Sequence, residues 1–175
     1  VTASHNPPEW NGFKLCREEG MICAEGMGME EIREIALSGR FRSASPGELS
    51  KRDDNTIEDY VNFVLDKVRI EKKLRVAVDL GNGVCSVVVP RLFRMAGVEV
   101  VAINAEPDGN FPAHIPEPNE ETLKELKKVV VEEEADFGVG YDGDGDRAIF
   151  IDDRGRIIPG DFALTIMARH HLKNN

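Results

Sequence analysis

Apolar positions along this chain recur first at helical spacing and later in alternating strand-like and helix-like blocks, and that succession predicts the architecture. The opening residues, 1–12, form a polar loop interrupted by Pro7-Pro8. Two short strand candidates follow at 13–17 and 21–24, around a Glu18-Glu19-Gly20 turn. Ile32, Ile35 and Ala36 lie at helical spacing within 29–37, with Ser38-Gly39 as a stop signal. A polar stretch at 40–53 containing Pro46-Gly47 reads as an exposed connection. A helix is then expected over 55–68, with Ile57, Tyr60, Val61, Val64, Leu65 and Val68 on one face and Asp53, Asp54 and Asn55 as capping candidates. Beyond this point the pattern changes. A strand at 74–80 leads through Gly81-Asn82-Gly83 into a helix ending near Met95-Ala96, with Pro90 expected near its first turn. A strand at 98–103, a Pro-rich loop at 105–118 and a helix over 120–134 with Leu123, Leu126, Val129 and Val130 inward come next. Strands at 136–141 and 148–152 flank an acidic loop, a turn at Asp153-Arg154-Gly155 follows, and a last helix starts near Asp161. The order predicts an α/β fold, with mixed sheets flanked by helices in layers. The expected boundary lies near 69–73, with one partial domain (1–70) followed by one near-complete domain (71–175).

The acidic loop carries the strongest chemical signal. Asp142-Gly143-Asp144-Gly145-Asp146-Arg147 sets three carboxylates at alternate positions and closes them with an arginine. Two unit charges about 4 Å apart repel by about 4 kcal/mol at an effective dielectric of about 20. Three acids folded into one loop therefore call for a cation or for full solvation. Glycines between them allow the side chains to curl toward one centre, and hard oxygen ligands around a compact point suit Mg²⁺. A solvated acidic turn remains the plain alternative. An EF-hand does not fit, because Arg147 and Asp153 stand where Gly and Glu are required and the flanks read as strands.

Composition narrows the classes. Hydrophobic residues make up 41% and charged residues 31% of the 175 residues, ordinary for a globular protein. The net charge of −10 argues against nucleic acid as a partner, and no apolar run reaches membrane-spanning length. Cys16, Cys23 and Cys85 are odd in number and lack metal-type pairing, so reduced thiols in a cytoplasmic protein are expected. Gly81-Asn82-Gly83 does not make a dinucleotide site, since Ser86 stands where the third glycine belongs. His114, His170 and His171 are read as structural or exposed.

Thr2-Ala3-Ser4-His5-Asn6-Pro7 is the second candidate for chemistry. A serine in a polar, proline-bounded loop can carry a phosphoryl group if something activates it, although such a run is often only a loop. A phosphoserine beside a Mg²⁺ loop would place its oxygens among the ligands. Arg147 suits a phosphate oxygen or a neighbouring carboxylate, and Lys14 suits charge neutralisation or proton transfer.

Thr2-Ala3-Ser4-His5-Asn6-Pro7, followed by Asn11-Gly12-Phe13-Lys14, resembles the phosphoserine loop of the α-D-phosphohexomutases, the family of phosphomannomutase and phosphoglucomutase. The run Asp142 to Arg147 resembles that family's metal loop. Asp79-Leu80-Gly81-Asn82-Gly83 and Pro107-Asp108-Gly109-Asn110-Phe111-Pro112 are similar to further family segments in the same order. The resemblance implies that 1–70 is the end of a first domain and 71–175 a second domain. It implies a Mg²⁺ held by Asp142, Asp144, Asp146 and phosphorylated Ser4, with His5, Lys14 and Arg147 around the phosphoryl group. The implied reaction interconverts hexose 1-phosphate and hexose 6-phosphate through a bisphosphorylated sugar, with mannose or glucose phosphate as substrate; Thr2 mildly favours these over glucosamine phosphate. Family members have four domains, so a fragment is expected, lacking the sugar-recognition and phosphate-clamping loops of domains 3 and 4 and with little turnover alone. Two alternatives stay open: a metal-dependent phosphatase using Ser4, and a non-catalytic cation-binding module.

Overall fold

The structure, a computed structural model, describes residues 1–48 and 55–174, so the expected caps Asp53 and Asp54 lie outside the described residues. Two compact units are formed, one from Val1–Thr2 with Asn11–Asp54 and one from Ala3–Trp10 with Asn55–Asn175.

In the first unit the expected hairpin is reduced to one antiparallel bridge, Cys16 to Ile22, around a single 3-10 turn at Glu18–Gly20. Phe13, Met21 and Ile22 are all exposed, so no apolar face holds longer strands together. The helix α1 (Met29–Ser38) forms where expected and stops at Gly39, which takes a left-handed φ of 66°.

The second unit begins its regular structure with α2 (Thr56–Leu65), in which only Val61 is buried and Asn55 makes no side-chain capping bond. The strands β1 (Arg75–Asp79), β2 (Glu99–Ile103), β3 (Phe137–Tyr141), β4 (Ala148–Asp152) and β5 (Ile157–Ile158) form one sheet in the order β2-β1-β3-β4-β5. β1 pairs in parallel with β2 and β3, whereas β3–β4 and β4–β5 are antiparallel. Between them lie α3 (Cys85–Met95), α4 (Lys124–Glu132) and the last helix, α5 (Gly160–Asn174).

Both faces of the sheet are covered. Val76, Val78 and Val139 pack with Leu80 and with Val89 of α3 on one side. Ala77 and Ile151 pack with Leu123, Leu126, Val130 and Ala135 on the other, beneath α4. This explains the near-continuous apolar run of β1, whose side chains from Val76 to Asp79 are all buried. Gly138 and Gly140 face α4 so closely that an added Cβ would stand 2.6 Å from Val130 and 2.3 Å from Leu123. Small residues in β3 are thus what lets α4 approach the sheet.

Two further expectations are corrected, and one strand is added. Pro90 is the sixth residue of α3, not part of its first turn. The helix begins with tight bonds from Ser86 N to Gly83 O and from Val87 N to Val84 O, and Pro90 is buried within it. α4 starts at Lys124 because Asn119 Oδ1 accepts from Glu121 N and Thr122 N, holding 119–122 in a turn. β5 was not expected, since two residues are too short to show a period. Among the described residues no helix is long and apolar enough to cross a membrane.

Leu126 is fully buried under α4. Leu126→Ala is expected to lower the unfolding free energy by about 2–5 kcal/mol in chemical denaturation. The exposed Lys128→Ala on the same helix is expected to change it by less than about 0.5 kcal/mol.

Candidate functional site

The C-terminal ends of the parallel strands β1, β2 and β3 lie along one edge of the sheet, and the polar loops gather there. This is the edge at which open α/β sheets place their ligand sites.

The acidic loop leaves β3 at Asp142 and returns into β4 at Ala148, as the connection of an antiparallel hairpin. Asp142 N donates to Arg147 O and Gly145 N to Asp142 O, closing the loop on itself. Gly145 has a left-handed φ of 72°, a region that an L side chain enters only under strain. Asp142, Asp144 and Asp146 bring one carboxylate oxygen each within 4.8 Å of the others. Asp142 is buried, Asp144 half-buried and Asp146 exposed, so the cluster opens outward from a fixed base. That base is paired: Asp142 Oδ1 accepts from Arg147 N at 3.1 Å and Oδ2 from Arg147 Nε at 3.0 Å. Glu117 Oε1 lies 3.5 Å from Arg147 Nη1, and Arg147 Nη2 is buried without a hydrogen-bond partner. An unmet buried donor of this kind is what a bound oxyanion satisfies.

The Ser4 loop sits against this cluster within the same unit. Ser4 adopts a φ of 57°, rare for a residue with a Cβ and characteristic of functional turns. Asn6 N and Asn6 Nδ2 both donate to Ala3 O, at 3.1 and 3.0 Å, and hold the turn. The Ser4 hydroxyl donates to Asp144 Oδ1 at 3.4 Å, and His5 Nδ1 lies 3.2 Å from the same Oγ. Gly143 makes the approach possible, because a Cβ there would stand 2.6 Å from Ser4 O.

Sequence-predicted residues Ser4, His5, Asp142, Asp144, Asp146 and Arg147 are therefore assembled in one place. Lys14 belongs to the other unit, where it is exposed in a segment that is not a strand. Sequence reasoning missed the scaffolding of the loop. Gly143 N donates to Pro116 O, and Val84 N to Gly143 O, so the loop hangs between the Pro-rich segment and the start of α3. Buried Asp79 and Asn82 organise that segment from the end of β1; in the sequence they stood only within a Gly-rich turn similar to a family segment, with no role read for either.

The donor set fits a hard divalent cation: three carboxylates converge, and a hydroxyl able to carry further oxygens stands at their edge. The family model "Phosphoglucomutase/phosphomannomutase, alpha/beta/alpha domain II" matches residues 58–155, and the corresponding model for domain I matches residues 1–43. The chain belongs to the phosphoglucomutase/phosphomannomutase family. A Thermococcus kodakarensis protein named "Phosphoglucomutase/phosphomannomutase" is 44% identical, over all of this chain and 39% of its own length. A Methanosarcina acetivorans protein named "Probable phosphoglucosamine mutase" is 40% identical, over 97% of this chain and 39% of its own. A solved structure of a phosphoglucomutase/phosphomannomutase family protein from Burkholderia thailandensis superposes with a TM-score of 0.89 at 33% identity, over all of this chain and 37% of that one. The chain thus spans about two-fifths of the length of the curated relatives it matches. The two curated relatives both carry the names of mutases.

Cys85 reports on the acidic loop, since an added Cβ at Gly145 would lie 2.3 Å from its Sγ. Burial pushes the Cys85 thiol up to about 11, with Asp142 and Asp144 adding to the shift. At pH 8 Cys85 is accordingly expected to resist alkylation while the exposed Cys16 reacts, and to react only as the pH nears 11. Peptide mapping after a timed iodoacetamide pulse checks this; equal labelling of both at pH 8 contradicts it.

Proposed function

We propose that this chain is the phosphoryl-donor and metal-binding part of a hexose-phosphate mutase that interconverts hexose 1-phosphate and hexose 6-phosphate. The observation that carries the reading is the Ser4 hydroxyl held 3.4 Å from Asp144 at the edge of the three-carboxylate cluster. Phosphorylated Ser4 gives its phosphoryl group to the free hydroxyl of a hexose phosphate: the Ser4 Oγ–P bond breaks, a sugar O–P bond forms, and the hydroxyl proton passes to a base. The bisphosphorylated sugar then returns its other phosphoryl group to Ser4, leaving the isomeric monophosphate.

Each residue has a distinct part in this reading. Asp142, Asp144, Asp146 and the Ser4 phosphate hold Mg²⁺, which neutralises charge on the transferring group. Arg147 is locked by Asp142 through Nε and keeps Nη2 for a phosphate oxygen. His5 orients Ser4 Oγ, and Lys14 takes and returns the hydroxyl proton. The division near 69–73 belongs to the same proposal as a division between family domains, Ser4 belonging by sequence to the earlier one even though its loop, Ala3–Trp10, packs in one compact unit with the metal loop. Sugar selection and phosphate clamping fall to third and fourth domains. Mannose or glucose phosphate is the substrate favoured by Thr2, with glucosamine phosphate as the comparison, and the setting is cytoplasmic.

Incubation with glucose 1,6-bisphosphate is expected to add one phosphate at Ser4, read by phosphopeptide mapping, and to add none to Ser4→Ala. Calorimetry is expected to show Mg²⁺ binding that weakens more than about tenfold in Asp144→Asn, the loss of one charge-assisted contact or more. Turnover of glucose 1-phosphate by this chain alone is expected to be slight. Ser4 left unmodified, with Mg²⁺ affinity indifferent to Asp144→Asn, would sink the proposal.

A further inference from the structure

A polar cluster separate from the metal ligands holds the Pro-rich loop on the edge of the sheet. Asp79, 1% exposed at the end of β1, accepts through Oδ1 from Gly81 N and Asn104 Nδ2, each at 3.0 Å. Its Oδ2 faces His114 Nε2 at 3.2 Å. The other ring nitrogen, His114 Nδ1, faces the carbonyl oxygen of Ile115 at 2.8 Å. A carbonyl can only accept, so Nδ1 carries a hydrogen; the Asp79 carboxylate already takes two N–H donors on Oδ1, and a proton lying between its Oδ2 and His114 Nε2 rests on the imidazole, the stronger base. Both ring nitrogens must then carry hydrogens, because a neutral imidazole would set a lone pair against one of the two oxygens. Two residues beyond His114, Pro116 is fully buried and its carbonyl accepts from Gly143 N within the acidic loop.

We propose that His114, as an imidazolium bridging the Asp79 carboxylate and the Ile115 carbonyl, is a positioning residue that clamps Pro116 against Gly143 and so sets the conformation of the acidic loop. Its significance for catalysis rests on the reading of that loop as a metal site, but the clamp itself does not. The charged groups facing the ring are Asp79 at the end of β1 and Glu125 in the first turn of α4, both acidic. The Asp79 hydrogen bond raises the His114 pKa against the opposing effect of burial, and the Ile115 carbonyl and Glu125 add to the rise. A raised value means that the clamp is fully formed below the ordinary histidine pKa of about 6.5 and is lost as pH rises through the higher folded value.

NMR on this chain without metal tests the clamp. The His114 ring is expected to titrate above about 6.5 with both nitrogens protonated on the acid side. Hydrogen-exchange protection of the Gly143 amide, corrected for intrinsic base catalysis, is expected to fall about tenfold with the same midpoint, the equivalent of one charge-assisted hydrogen bond. In His114→Gln the protection is expected to be lower by about that factor at pH ~6 and to show no step. A His114 midpoint at or below about 6.5 overturns the inference, and so does Gly143 protection indifferent to the His114 titration. If the variant does not fold, the two wild-type titrations decide the matter. Because no metal enters these measurements, a chain that fails to bind Mg²⁺ counts against the proposed function and not against the clamp.

Discussion

The buried carboxylate of Asp142 is the constraint around which the site is built. It sits at the end of a central strand, 1% exposed, where an unpaired charge would be strongly unfavourable. Arg147 answers it twice, through backbone N and side-chain Nε, across the same base of the hairpin that the Asp142 N to Arg147 O bond closes. The Arg147 side chain is 41% exposed, so solvent screens its half of the pair, while the buried carboxylate depends on it for its partner. The loop is therefore shaped by a requirement internal to the protein before any ligand is considered. Asp144 and Asp146 are then presented at the more open side of a fixed base, and the repulsion among the three acids creates a standing demand for positive charge.

Everything else at that edge serves to hold backbone close to backbone. Gly143 lies between Ser4 O, Pro116 and Phe111 with no room for a Cβ. Asn82, in a left-handed conformation, donates through Nδ2 to Glu106 O and accepts through Oδ1 from Ala113 N, so one buried side chain ties two points of the Pro-rich loop to the end of β1. The sheet contributes the rigid part and these polar side chains contribute the register between loops, a division common to sites on α/β folds.

Where periodicity was long, the sequence was legible. α1, β1, β3 and β4 are found within a residue or two of their expected positions because each repeats an apolar face over several residues. The hairpin at 13–24 shrank to one bridge because Phe13, Met21 and Ile22 stay exposed and only Cys23 is buried, which alternation alone does not reveal. α4 starts late because the Asn119 side chain competes for the first amide groups, and β5 is too short for any pattern. At the site, the acids and the serine were readable as clustered chemical types. The roles of Asp79, Asn82 and His114 were not, since their importance lies in burial and in side-chain partners 24 to 35 residues away, such as Asp79 for His114.

The antiparallel turn-back from β3 to β4 has a consequence for how this site can vary. The acidic loop joins two neighbouring strands whose pairing sets Gly138 opposite Ile151 and Val139 opposite Phe150. Inserting or deleting one residue between Asp142 and Arg147 would either bulge the loop or slide β4 by one position, and a one-position slide sends Ile151 from the core to the opposite face. The length of the charged segment is thus locked to the hydrophobic interior, so evolution can exchange its side chains far more freely than it can alter its number of residues.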